Sequence, residues 1–165
     1  SEYVFGMQAK APAILFEGVQ VRGSIDWIER HSETGALRIT DHKTGRNPKD
    51  KVHHIGGGAI LQPLLYALAV EDLLKQPVKI SRLYYCTQRG NYDTAPVAIT
   101  EHSKHDLRRA LEIIDGGVTG GFLPAAPAKG QCEWCDYRMV CGPREEERTR
   151  RKPKVIQLTE LRSLS

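Results

Sequence analysis

LRITDHKTG, residues 37–45, alternates apolar and polar side chains and then stops at a Thr-Gly turn, the pattern of a strand with one buried face. Side chains two apart on a strand share a face, so Asp41 and Lys43 stand together and His42 points to the opposite side. Taken alone, such a pair is a surface ion pair worth at most about 1 kcal/mol. A second stretch changes its weight. GSIDWIE, residues 23–29, sets Asp26 between Ile25 and Trp27 in another strand-like run, and two neighbouring strands could bring Asp26 and Asp41 side by side.

Close carboxylates repel unless a cation sits between them. A hard oxygen site of one or two carboxylates plus water is what Mg²⁺ selects, at roughly 2.0–2.1 Å per ligand. A lysine beside it would hold a water or a phosphate oxygen. The set suits phosphodiester hydrolysis, in which a metal lowers the pKa of bound water and offsets charge on the phosphorus oxygens. Further along, ILQPLLY places Gln62 and Tyr66 four apart, on one face of a helix. Their hydrogen-bonding groups need partners if that face is buried, because an unpaired buried polar group costs roughly 1–3 kcal/mol.

Working outward, Tyr3–Met7, Ala13–Glu17, Val19–Glu29 and Ala36–Asp41 read as strands of an antiparallel meander. After the polar, Gly-rich stretch of residues 46–58, the Ala- and Leu-rich run 59–74 reads as a buried helix starting near Gly58, with Pro63 in its first turn. ISRLYYC and APVAIT read as two more strands around RGNYD. SKHDLRRALEIIDGG then reads as an amphipathic helix with Ser103 as its N-cap. A Gly-, Pro- and Ala-rich loop, 120–130, leads to QCEWCDYRMVC and a charged tail expected to fray at its end.

The 165 residues suit one domain with a real core, and 40% apolar with 27% charged residues describes a globular protein. No run approaches the roughly 18 apolar residues that cross a bilayer, and no secretory leader is evident. The expected compartment is the cytoplasm, with no membrane partner. A net charge of +4 favours a polyanionic partner only mildly. Cys132, Cys135 and Cys141 form C-x2-C-x5-C, spacing that suits a metal or iron-sulfur centre and leaves the two open; Cys86 stands apart. His53 and His54 read as a solvated loop, and Glu2 and Glu17 as solvated edge residues near the site. IGGGAI lacks the phosphate-loop pattern. Trp134 and Tyr137 are expected to pack around the cysteine centre.

GSIDWIE, DHKTG, QPLLY and the cysteine triplet, in this order and at these intervals, resemble the RecB and AddB type of PD-(D/E)xK nuclease from about Glu2 to Cys141. The resemblance implies an α/β, restriction-endonuclease-like mixed sheet with flanking helices and a C-terminal cysteine cluster, with the nuclease domain at 1–142 and a charged tail at 143–165. It makes Asp26 and Asp41 ligands of Mg²⁺ or Mn²⁺, adds the backbone carbonyl of His42 as a further ligand, and makes Lys43 the catalytic lysine. Gln62 and Tyr66 would contact the DNA backbone or support the lysine. Cys132, Cys135 and Cys141 would hold a 4Fe-4S cluster.

In such proteins a fourth cysteine comes from a segment before the first strand, and a helix there often supplies a further His or Glu. The chain is expected to be a fragment without that segment, with Cys86 a poor substitute because it falls in a predicted strand. The implied activity is metal-dependent, exonucleolytic DNA hydrolysis in recombination or double-strand break repair, alongside a helicase. Two alternatives stand beside it: an inactive DNA- or helicase-binding module, and a cysteine-metal domain that stabilises a larger assembly.

Overall fold

The computed structural model describes residues 2–16, 18–47, 54–122, 124–142 and 144–164. The alternation in residues 37–43 forms β6 (Leu37–Lys43), a central strand of a four-stranded sheet. β5 (Trp27–Arg30) pairs with it antiparallel, β7 (Val78–Tyr85) parallel, and β8 (Thr94–Ala98) closes the order β5-β6-β7-β8 antiparallel to β7. Parallel neighbours need a crossover, and α1 (Gln62–Leu74) supplies it between β6 and β7.

The inward side chains of β6, Leu37, Ile39 and Asp41, are all buried. Leu64, Ala67, Leu68, Ala69 and Val70 of α1 are buried as well, so this helix is apolar over most of its surface. It starts four residues later than its composition suggests. Gly56, Gly57 and Gly58 take φ of +55°, +63° and +86°, a left-handed run that no helix continues, and Pro63 then fits at the first turn.

α2 (Glu101–Thr119) packs Leu107 and Ala110 against Leu64, Leu68 and Val97. Its N-cap is Thr100 rather than Ser103. Thr100 Oγ1 accepts from the Ser103 N–H at 3.1 Å while Ser103 Oγ accepts from the Thr100 N–H at 2.9 Å, so the expected cap completes a capping box from inside the first turn.

The N-terminal strands are shorter and differently paired than a simple meander. β1 (Tyr3–Phe5) pairs with β4 (Gly23–Ile25), and between them β2 (Ala13–Leu15) and β3 (Val19–Val21) form a hairpin. The expected long strand 19–29 breaks at Arg22 and again at Asp26, where the backbone bends into β5. The hairpin is tied to α1 by the Ile14 N–H, which donates to Asp72 Oδ2 at 2.8 Å.

After a 3₁₀ turn (Gln131–Trp134), the chain forms α3 (Arg138–Cys141), α4 (Glu145–Arg150) and α5 (Ile156–Ser163). The tail does not end loosely. Leu161 and Leu164 join the apolar cluster of Leu64, Leu68 and Leu107, the Gly57 N–H donates to the Leu164 carbonyl at 2.9 Å, and Arg109 of α2 clasps Glu160 with two guanidinium nitrogens. No helix among the described residues is long and apolar enough to cross a membrane.

Candidate active site

At the C-terminal end of β6 the alternation delivers Asp41 and Lys43 to the face covered by α1, as expected. Asp41 is buried, and its Oδ2 receives no aligned hydrogen bond; Lys43 Nζ stands 2.7 Å from it as an ion-pair partner. Lys43 Nζ also donates to Gln62 Oε1 at 2.6 Å, and Gln62 Nε2 donates to Tyr66 Oη at 3.1 Å. A relay of contacts thus runs from β6 into the first turn of α1.

The tyrosine end of the relay is set by steric room. A Cβ on Gly23 would meet Tyr66 Cε1 at 3.0 Å and Phe5 Cζ at 3.3 Å, so a side chain there would crowd the phenol. Phe5 meets the Tyr66 ring edge-on, with centroids 6.2 Å apart.

Asp26 sits at the bend between β4 and β5, one residue before the Trp27–Thr40 pair. Its Oδ2 accepts from the His42 N–H at 2.7 Å and lies 3.3 Å from His42 Nδ1. The His42 ring turns to the opposite face of the sheet, where it meets Trp27 and Tyr84 at centroid distances of 6.3 and 5.8 Å. The buried Oδ2 of Asp41, ion-paired with Lys43 but without an aligned hydrogen bond, is a hard donor of the kind Mg²⁺ or Mn²⁺ takes.

Sequence reading missed Tyr85, which pairs with Lys43 across β6 and β7 and is buried beside it. Burial pushes its phenol pKa up; Lys43 opposes this and Asp41 adds to it. It is held by Gly90, whose added Cβ would lie 2.4 Å from Tyr85 Cβ and 3.0 Å from the Gly45 carbonyl. Cys86, next along the chain, donates its Sγ–H to the Lys43 carbonyl at 3.6 Å.

The far face of the sheet carries a second polar group that the sequence did not announce. Arg38 binds Glu29 through Nε at 2.9 Å and its terminal nitrogen at 2.8 Å, while Thr40 Oγ1 donates to Glu29 at 3.0 Å and Arg82 Nε donates to Thr40 at 2.8 Å. The hydrogen bond from Arg38, partly opposed by burial and helped by Thr40 and Arg82, holds the Glu29 carboxyl below its ordinary pKa. Register makes the network legible in retrospect, since Glu29 faces Arg38 and Thr40 faces Arg82 directly.

The three clustered cysteines lie along the segment that runs from the 3₁₀ turn into α3. Cys132 is buried, Cys135 exposed and Cys141 half-buried, all as free thiols. Burial, followed by Glu145, Glu146 and the neighbouring Cys135 and Cys141, pushes the Cys132 thiol up. Among the described residues the only three His, Cys, Asp or Glu ligand atoms that converge within 4.8 Å are those of His54, His102 and Asp106. Cys86 is engaged elsewhere, at the Lys43 carbonyl. Trp134 and Tyr137 do not pack around a centre; they are 83% and 72% exposed.

Glu2 is not merely solvated, since Ser24 Oγ donates to it at 2.7 Å. His54, read as a solvated loop residue, is instead half-buried and bonded to Asp106 at 2.9 Å. Glu17 and His53 lie outside the described residues.

The chain matches the PD-(D/E)XK nuclease superfamily over residues 2–142 and belongs to it. The mixed four-stranded sheet with flanking helices is the restriction-endonuclease-like architecture of that family. It is also similar to the Gene 69 proteins of Mycobacterium phages L5 and D29, at 25% identity over 131 residues in each case. The match takes in 78% of this chain but only 41% and 45% of those two relatives, so the chain spans less than half of their length.

Proposed function

We propose that this chain is the catalytic domain of a divalent-metal-dependent deoxyribonuclease of the RecB/AddB type, acting as an exonuclease in recombination or double-strand break repair. The observation that carries the reading is the relay Asp41–Lys43–Gln62–Tyr66, which fixes an ammonium group beside a buried carboxylate. In this reading Asp26, Asp41 and the His42 carbonyl hold Mg²⁺ or Mn²⁺. When bound, the ion supplies Lewis-acid stabilisation of the phosphorus oxygens and a water of lowered pKa.

The residues of the chain do the rest. Lys43 presents its Nζ to the attacking water or to a nonbridging phosphate oxygen, and its charge offsets what accumulates there as the 3′ oxygen leaves. Gln62 accepts from that ammonium and restricts its swing. Tyr66 accepts from the Gln62 amide nitrogen, so the amide oxygen is the atom left facing the lysine. DNA is the substrate and a helicase domain or subunit the natural partner for processive cleavage.

The test is cleavage of linear single- and double-stranded DNA by the full-length protein with Mg²⁺ or Mn²⁺, beside Asp41→Ala and Lys43→Ala. Loss of cleavage in both variants is expected. Equal cleavage by all three proteins would remove these residues from the mechanism.

A further inference from the structure

Away from the nuclease site, His54 Nε2 lies 2.9 Å and His102 Nε2 3.6 Å from the same atom, Asp106 Oδ2. The two imidazoles meet edge to face with centroids 5.3 Å apart, and the three ligand atoms lie within 4.8 Å of one another. Asp106 is only 5% exposed. His102 and Asp106 are four apart on α2, one turn on one face, while His54 arrives from the segment before α1. One hydrogen bond from His54 already satisfies that oxygen, so it does not explain why a second ring nitrogen is aimed at it.

We propose that His54, His102 and Asp106 form a zinc-type transition-metal site, distinct from the Mg²⁺ or Mn²⁺ site of the nuclease centre. Imidazole nitrogens and a carboxylate oxygen are the donors Zn²⁺ takes, at about 2.0–2.2 Å. A tetrahedral ion at that range separates its ligands by roughly 3.4 Å, and the two nitrogen–oxygen distances of 2.9 and 3.6 Å bracket that value. Three protein donors leave one position for water. Asp106 Oδ1 stays outside the set, 3.5 Å from His105 Nδ1.

Binding changes the proton arrangement in a defined way. Without metal, His54 Nε2 carries the proton it donates to Asp106. With metal, Nε2 must offer its lone pair, so the ring keeps its proton on Nδ1 and any second proton is released to solvent. The ion ties the segment before α1 to α2, and Ile55, fully buried beside Leu107, is already packed along that seam. A bound ion would hold that segment to α2, behind the helix that carries Gln62.

His102 tests it cleanly, because its side chain is 71% exposed and its removal leaves the core untouched. The full-length protein, stripped with chelator, is titrated with Zn²⁺ against a chromophoric competitor, as wild type, His102→Ala and Asp41→Ala. Imidazole nitrogen resonances are followed in parallel by long-range ¹H–¹⁵N spectra. Wild type and Asp41→Ala should share one equivalent whose affinity falls at least about tenfold in His102→Ala, and the Nε2 resonances of His54 and His102 should move with that equivalent. Retention of the equivalent at unchanged affinity in His102→Ala, or Nε2 resonances that stay in place, would overturn the site. The spectra also separate it from any Zn²⁺ taken by the cysteines, and neither readout depends on nuclease activity.

Discussion

Removing the Gln62 amide gives the sharpest check on the relay. In Gln62→Ala, Lys43 Nζ loses the acceptor it holds at 2.6 Å, and Asp41 at 2.7 Å becomes its remaining partner in the relay. A hydrogen bond to a charged group contributes about 1.5–3 kcal/mol, and each 1.36 kcal/mol is a factor of ten in rate. If the contact serves to aim the ammonium in the transition state, kcat/KM for DNA cleavage should fall by about 10- to 150-fold. The loss should sit in kcat, with KM little changed, because Gln62 acts through the lysine. Tyr66→Phe, which frees the amide to rotate, should cost about tenfold or less.

The assay is single-turnover cleavage of a linear duplex by wild type, Gln62→Ala, Lys43→Ala and the double variant, with urea unfolding to confirm that each is folded. In the Lys43→Ala background, Gln62→Ala should cost nothing further, since its partner is already gone. An equal loss in both backgrounds would refute the relay and make Gln62 an independent contact to DNA.

Two further expectations concern stability. Gly90→Ala should destabilise by about 1–3 kcal/mol, because the new methyl falls on Tyr85, whereas Gly116→Ala, exposed within α2 with nothing nearby, should stabilise by about 0.5–1 kcal/mol; urea midpoints give both signs. Acid should weaken the fold partly through Glu29. Its folded pKa is lowered, so its contribution is present above the unfolded value and is lost as pH falls through the folded one. Glu29→Gln should therefore flatten the acid arm of a midpoint-against-pH curve while leaving the neutral-to-basic arm parallel to wild type.

What could be read in advance followed local periodicity. The period of two put Asp41 and Lys43 on one face and His42 on the other, and the helical spacing put Gln62 and Tyr66 together, because both patterns act over a few residues. The start of α1 was misread because three glycines look permissive in composition, while their left-handed backbone is decided by what packs around them. Contacts of long sequence separation left no local trace. His54 reaches Asp106 across 52 residues and Arg109 reaches Glu160 across 51. Tyr85 looked like one more strand aromatic, and its place beside Lys43 depends on the register of a parallel pair joined only through α1.

The seat of Tyr66 on Gly23, with Phe5 against its ring, makes the small outer pair of strands mechanically continuous with the lysine. Phe5 touches no reactive group, yet its packing sets the height of the phenol, the phenol sets the amide, and the amide sets the ammonium. Changes in the outer strands can therefore reach the ammonium from a distance. A change in ring size at Phe5, or any side chain at Gly23, acts like a shim under a lever, moving the ammonium while Lys43, Gln62 and Tyr66 themselves stay the same.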